Sequence, residues 1–290
     1  MERNLICKIR VSMKNLFMMI LLVFCQLWGG KAKTVEIFST TMKKYIPALI
    51  VLPDSYSNEN LSIPVLLLLH GYGGDYKNWS NHTNLVKRAD DFKMMIVCPD
   101  GSPNSWYLDS PMEPESQYKT FFINELIPWI KKNFRTNQMG ITGLSMGGHG
   151  AFYLAIRHPE LFDAVSGMSS GVDLTFSTVK WELTKILGPL ELPPNRWYDH
   201  SVVNMVETIQ EGFMQILIDC GYDDFFIDIN RTLHTRLIEK NIPQNKSVVI
   251  ENQTEKIILV IYLPNFGPQT QILILLAQSF LAHTLLPTLS

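Results

Sequence analysis

The chain has 290 residues, 46% of them hydrophobic and 18% charged, with a formal net charge of −2. That length and balance suit one globular domain with a large core, and the sequence shows no internal repeat and no low-complexity tract. Residues 1–32 hold five Lys/Arg and one acid, so the remainder carries 20 basic and 26 acidic side chains, a net −6; this is no footprint for nucleic acid.

Residues 1–32 look like a secretory signal. Lys14 precedes an apolar run from Leu16 to Phe24, and Gly29-Gly30-Lys31-Ala32 makes a small-residue exit. The run is too short for a membrane span, so the mature chain is expected to carry none and to be secreted or periplasmic. Met13 would serve as a start as well as Met1. Lipidation at Cys25 is disfavoured by the bulky Phe24 before it. Removal of the segment takes Cys7 and Cys25 with it. Cys98 and Cys220 remain, each at the end of an apolar strand candidate. They read as small buried hydrophobes rather than a disulfide framework. No Cys/His spacing suggests zinc.

Two alternating strands are predicted at 34–39 and 45–52, with Pro53-Asp54-Ser55 as a turn. Ile63 to Leu69 is a continuous apolar run, the pattern of a strand buried on both faces, closed by His70-Gly71-Tyr72-Gly73-Gly74. A helix over 84–91 and a strand over 94–98 follow, then a helix over 118–134 on the spacing of Phe121, Leu126, Ile127 and Ile130. Met139 to Thr142 reads as a strand and Gly148 to Arg157 as a helix. Further strands fall at 164–168 and 215–219, a loop region at 169–204 and a helix at 227–239. This alternation predicts an α/β fold with a mostly parallel central sheet flanked by helices on both faces. Sites in such sheets form at the carboxyl ends of the strands. His70-Gly71, Asp100, Ser145 and Asp224 all fall there.

Gly143-Leu144-Ser145-Met146-Gly147 fits G-x-S-x-G, with a strand before it and a helix after it. A serine on such a turn is thrust outward, and only small neighbours leave room for the bend. Ser145 is then the candidate nucleophile. It needs a histidine to take its proton and a carboxylate to orient that histidine, in the chain order Ser, acid, His. Asp223 and Asp224 follow the 215–219 strand, and Asp224 is preferred; the plainer reading is that either one caps the next helix. The amides of Met146 and Tyr72 are the candidate oxyanion donors. Glycines around Tyr72 let the backbone approach a substrate oxygen. His70 precedes the serine and reads as a structural hydrogen-bonder, and His149 as a packed or surface residue. In the loop Asn104 to Pro111, Trp106, Tyr107 and Asp109 are candidate pocket residues, with an aromatic ring stacking on a sugar or aryl group. The alternative is a Trp packed under its own loop.

Together, Leu69-His70-Gly71-Tyr72-Gly73-Gly74, Asp100-Gly101, Ser105 to Pro111, Gly143 to Ala151 and Gly221-Tyr222-Asp223-Asp224 resemble the esterase D family of α/β hydrolases. That family includes S-formylglutathione hydrolases, feruloyl and acetylxylan esterases, and mycolyltransferases. The resemblance runs from about Thr34 to Pro243. It implies the α/β-hydrolase fold, Ser145 as nucleophile, Asp224 as triad acid, an oxyanion hole from Tyr72 and Met146, and neither metal nor organic cofactor. It also implies a histidine in a Pro-Gly-Gly-His-type loop, which is not evident. No histidine lies between His234 and His283, and the 34 residues from Ile257 to Ser290 contain no Asp, Glu, Lys or Arg.

Three explanations are open: His283 is the base on a rearranged tail; the tail seeks a membrane or partner and the enzyme is inactive; or a reading-frame shift near Gln244 has replaced the original C-terminus. The expected organisation is a signal-like segment at 1–32, a hydrolase domain at 33–245 and an atypical apolar tail at 246–290. The expected function is ester hydrolysis through an acyl-enzyme, on acetyl or feruloyl esters of carbohydrates, with a small-molecule or polysaccharide ester as the partner, impaired if the base is missing. An acyltransferase and an inactive carbohydrate-binding or interaction protein are the alternatives.

Overall fold

The computed structural model describes residues 31–57, 61–176, 180–191, 195–209, 214–240 and 242, and the backbone of three further strands at 247–252, 258–262 and 271–275. The signal-like segment before Lys31, with Cys25, and the candidate base His283 lie outside the described residues.

Eight strands form one sheet in the order β1-β2-β4-β3-β5-β6-β7-β8. They are β1 (Ala32–Ser39), β2 (Lys44–Val51), β3 (Ile63–Leu69), β4 (Met95–Pro99), β5 (Thr136–Gly143), β6 (Ala164–Met168), β7 (Gln215–Gly221) and β8 (Ser247–Asn252). β1 and β2 make an antiparallel hairpin, and β2 joins β4 antiparallel. From β4 through β8 every pairing is parallel. Every residue of β3, β4 and β6 is buried, as the unbroken apolar runs of β3 and β4 require of strands covered on both faces.

The helices that matter to the site are α1 (Leu85–Phe92), α2 (three joined segments, Tyr118–Thr120, Phe121–Leu126 and Ile127–Asn133), α3 (Met146–Arg157), α4 (Leu183–Leu187), α5 (Arg196–His200) and α6 (Ile227–Glu239). The β3-to-β4 connection steps toward β2, whereas the later crossovers step the other way. Right-handed crossovers therefore put α1 on one face of the sheet and α2, α3 and α6 on the other. Side-chain alternation agrees: Leu66, Leu68, Ile96 and Cys98 pack with Leu85 and Ala89 of α1. In α2 the middle segment is a π-helix, where the Ile127 N–H reaches back five residues to Phe122 O. Pro128 comes next and has no N–H to offer, so the ladder slips there.

Two regions differ from expectation. The 169–204 stretch, expected to be loop, contains α4 and α5, each five residues long. In α4 Leu183, Ile186 and Leu187 are buried at helical spacing but fill a single turn, and α5 buries only Trp197, so neither offers the repeat that a helix reading needs. Past Pro243, where the resemblance stops, the chain still adds β8 to the sheet, in register from Ser247 opposite Ile216 to Asn252 opposite Gly221. In the charge-free stretch, Ile258–Tyr262 and Gln271–Leu275 pair antiparallel.

Candidate active site

β5 ends at Gly143, and α3 begins at Met146. The bend between them leaves Ser145 at φ 55°, ψ −112°, a conformation that costs an L-residue energy and concentrates at functional sites. Close packing permits the bend: a Cβ on Gly147 would stand 2.5 Å from Leu69 O and 2.6 Å from His70 O. The Ser145 N–H donates to Met168 O at 2.9 Å, and its carbonyl accepts from the N–H groups of His149 at 3.0 Å and Gly171 at 3.2 Å. Between Met139 and Ile156, Ser145 is the one residue that is not buried. The main chain is thus fixed while the hydroxyl is presented outward.

The glycine loop after β3 lies against this bend. A Cβ on Gly71 would be 3.3 Å from Leu144 O and 3.7 Å from the Ser145 Cβ, so Tyr72 is the next residue along from that contact. The N–H groups of Gly73 and Gly74 are spent on Pro103 O and Gly71 O. Among the described residues no acceptor meets the Tyr72 or the Met146 N–H. His70 holds the base of the loop: its Nε2 accepts the Gly101 N–H at 2.9 Å and its Nδ1 faces Gly71 O at 2.9 Å. With Nε2 accepting, Nδ1 is the donor and the ring is neutral. Burial holds its pKa below the usual histidine value.

Asp224 lies just beyond β7. Its Oδ1 accepts the Phe226 N–H at 2.7 Å, whereas Oδ2 is buried and meets no hydrogen-bond partner among the described residues. Burial raises its carboxyl pKa, against the opposing pull of the Phe226 N–H. Asp223 is exposed. α6 starts from Phe226 with no side-chain cap, so the Asp224 bond closes a turn before the helix instead of capping it, and it occupies one oxygen. Of the histidines beside Ser145, neither is available as a base. His70 is engaged at both nitrogens, and His149 faces Trp106 O at 3.1 Å and His200 O at 3.0 Å. Burial takes the His149 pKa down to about 4.

The expected pocket residues are placed differently from their expected role. Trp106 and Tyr107 are packed in the interior, 2% and 0% exposed. Gly150 and Gly171 make the room: a Cβ on Gly150 would be 2.3 Å from Tyr107 Cδ2, and one on Gly171 2.8 Å from Trp106 Cζ3. Asp109 accepts from the Thr120 N–H at 2.8 Å and the Thr120 hydroxyl at 2.7 Å and pairs with Lys119 at 3.2 Å, so it anchors the start of α2. Other aromatic groups, outside the 104–111 loop, reach the surface. Trp181 stacks on Phe225 with centroids 6.1 Å apart and meets Phe226 at 5.4 Å. Phe176 joins Phe226 at 5.5 Å. Phe176 and Phe225 are 44% and 43% exposed. Phe226 also lies 3.7 Å from a Cβ built on Gly171, which donates to Ser145 O. The adjacent Phe225-Phe226 pair, directly after Asp224, was the legible signal.

Among the described residues no group of His, Cys, Asp and Glu could hold a metal ion, and no helix is long and apolar enough to cross a membrane. Cys98 and Cys220 are both buried.

Comparisons with known proteins bear on the family and the fold. The Esterase family model matches residues 39–257, fourteen residues past Pro243. An acetyl esterase from Caldicellulosiruptor saccharolyticus is 26% identical over 234 residues, which cover 72% of this chain and 86% of that protein. A ferulic acid esterase structure superimposes with a TM-score of 0.64 at 27% identity, covering 77% of this chain and 90% of the other. An S-formylglutathione hydrolase from Agrobacterium tumefaciens gives 0.62 at 26% identity, with 78% and 87% covered. The outward serine bend, the glycine loop beside it and the family match over residues 39–257 lead to one assignment: the chain belongs to the Esterase family, carboxylic-ester hydrolases of the α/β-hydrolase fold.

Proposed function

We propose that the chain hydrolyses carboxylic esters with Ser145 as nucleophile. The carrying observation is Ser145 itself, held in a strained backbone conformation with its side chain outward at the carboxyl end of a central strand. In the first step the Ser145 oxygen adds to the ester carbonyl and its proton passes to a histidine. The carbonyl oxygen becomes an oxyanion that accepts from the Tyr72 and Met146 N–H groups, each worth about a hundred- to a thousandfold in rate. Collapse expels the alcohol, which takes the proton from that histidine, and leaves an acyl-enzyme on Ser145. Water, deprotonated by the same histidine, then releases the acid. Asp224 orients the histidine through its uncommitted Oδ2. His283 is the one histidine C-terminal to α6 and is our assignment for the base.

A second reading is supported by the 34 charge-free residues from Ile257, which begin where the family match ends. In it a reading-frame change has replaced the original C-terminus, and the chain as written lacks its base. Triad catalysis then falls by about a millionfold.

For the substrate we propose acetyl or feruloyl esters of carbohydrates. The names of the relatives and the aromatic rim of Trp181, Phe225 and Phe176 support this, since such rings stack on planar or sugar groups. The signal-like segment supports a secreted or periplasmic location. Transfer to an acceptor other than water needs the same acyl-enzyme, whereas a non-catalytic carbohydrate-binding protein would need none.

The experiment is hydrolysis of p-nitrophenyl acetate together with labelling by a fluorophosphonate. Turnover and labelling lost in Ser145→Ala and in His283→Ala support the first reading. No turnover or labelling in the wild type, with activity gained when a Pro-Gly-Gly-His loop is restored after Asn252, supports the second. Turnover that survives Ser145→Ala rules out the serine mechanism.

A further inference from the structure

The loop carrying Tyr72 is soft by composition. Gly71, Gly73 and Gly74 surround it, and Gly73 sits at φ 75°, so few side chains hold its peptides in place. Yet an oxyanion donor must already point at the oxygen before charge develops there. Tyr72 carries the one side chain longer than glycine between Gly71 and Gly74, and it is held from 110 residues away. Its hydroxyl donates to Glu182 Oε2 at 3.3 Å. The same oxygen accepts from Asn104 Nδ2 at 2.9 Å, and Oε1 takes the Lys185 ammonium. Three segments meet at this carboxylate: the glycine loop, the Asp100–Pro111 loop and the stretch before α4.

The stretch before α4 is built to aim that carboxylate. Trp181 and Glu182 stand consecutively at φ 59° and 54°, a left-handed pair that L-residues rarely adopt unless their surroundings impose it. What imposes it is visible on both sides. The Trp106 indole N–H donates to Trp181 O at 3.3 Å, and the buried faces of Leu183, Ile186 and Leu187 fix α4 behind. The Gly73 N–H to Pro103 O bond, 2.7 Å, ties the two loops to each other next to the contact. The Lys185 bond, ahead of the Asn104 amide, keeps the Glu182 carboxyl below the usual carboxylate range, so the acceptor is charged and its hydrogen bonds are of the stronger kind.

We propose that Glu182 is a positioning residue for the esterase reaction: by gripping the Tyr72 hydroxyl and Asn104 it fixes the Gly71–Tyr72 peptide, and with it the N–H that faces the oxyanion above Ser145. This rests on the reading of the Tyr72 amide as an oxyanion donor. Glu182 touches no reacting atom. Its removal lowers the transition-state interaction and leaves ground-state binding alone, because a carbonyl oxygen gains most from the donor only once it is charged.

The test combines kinetics on p-nitrophenyl acetate with amide hydrogen exchange over residues 70–74. Glu182→Ala and Tyr72→Phe should each lower kcat about tenfold with KM within twofold. The double variant should be no slower than either single one, since both cut the same link. Glu182→Gln should recover most of kcat, because its amide oxygen still accepts from Tyr72 and Asn104. Within 70–74, exchange at the bonded Gly73 and Gly74 amides should rise at least tenfold in Glu182→Ala while the melting temperature changes little. Unchanged kcat with raised KM, additive losses in the double variant, or unchanged exchange at 70–74 each overturns the proposal. Absence of Ser145-dependent turnover in the wild type is a failure of the esterase reading instead. Exchange then decides alone: faster exchange in Glu182→Ala upholds the grip on the loop, and equal exchange ends it.

Discussion

The Tyr107 hydroxyl donates to the main-chain carbonyl of His70 at 2.9 Å. This bond joins the loop after β4 to the last residue before the glycine loop, one residue from the Gly71 contact with Ser145. Both partners are buried. Tyr107→Phe keeps the ring and deletes the donor, leaving a buried carbonyl unpaired. A loss of about 1–2 kcal/mol in urea unfolding is expected. A loss below a few tenths of a kcal/mol would mean that water or another donor replaces the hydroxyl.

His149 gives the fold a defined acid sensitivity. Its ring lies between Trp106, at 5.5 Å edge-on, and Tyr153, stacked at 5.6 Å, and burial takes its pKa to about 4. The unfolded chain binds a proton at this residue below pH 6.5, whereas the folded chain refuses it until about pH 4. Stability is therefore full above pH 6.5 and falls with pH across that window, by roughly 2 kcal/mol at pH 5 for this group. His70 and His200, also lowered by burial, add to the loss. Asp224, raised by burial, works the other way: it favours the fold below its unfolded pKa and loses that contribution as pH rises through its folded one. Urea midpoints at pH 7 and pH 5 measure the sum. His149→Gln should flatten the dependence by about the amount stated; an unaltered pH dependence assigns it to the other histidines.

The bend at Ser145 depends on Gly147 as much as on the serine. A methyl at Gly147 meets two backbone carbonyls, those of Leu69 and His70, at 2.5 and 2.6 Å. Neither is a flexible side chain that swings aside. Gly147→Ala should cost about 3 kcal/mol or more, at the upper end of overpacking, and appear as insoluble or unfolded protein in a thermal scan. Gly73, whose added Cβ would meet nothing within 4 Å, isolates the other glycine effect, a φ of 75°. Gly73→Ala should cost only about 1 kcal/mol, the price of that conformation.

Much of the architecture was legible because burial leaves a period. The unbroken apolar run Ile63–Leu69 and the helix Ile227–Glu239 were bounded to the residue. The serine bend was legible because its glycines have one physical purpose. α4 and α5 were not, since five residues make too little of a turn pattern to read. Trp106 and Tyr107 looked like pocket walls because a polar, aromatic loop after a strand commonly forms one. Their burial depends on Gly150 and Gly171, which lie tens of residues away in the chain, and no local pattern encodes such a contact. The Glu182–Tyr72 contact was hidden for the same reason.

Ser145 also predicts an opposition between stability and activity. At φ 55° and ψ −112° it occupies a region glycine tolerates far better than serine does. Its backbone is overdetermined by Met168 O, His149 N–H and Gly171 N–H, so the strain is held rather than relaxed. Ser145→Gly should keep those three bonds, remove the Cβ that is strained, and raise stability by about 1–3 kcal/mol while abolishing fluorophosphonate labelling. Ser145→Ala retains the Cβ and should lose labelling with little gain in stability. The difference between the two variants in urea midpoint isolates the backbone term from the loss of the hydroxyl. Equal stabilities for Gly and Ala at this position would show that the turn is relaxed, and that the half-buried serine carries no stored strain toward catalysis.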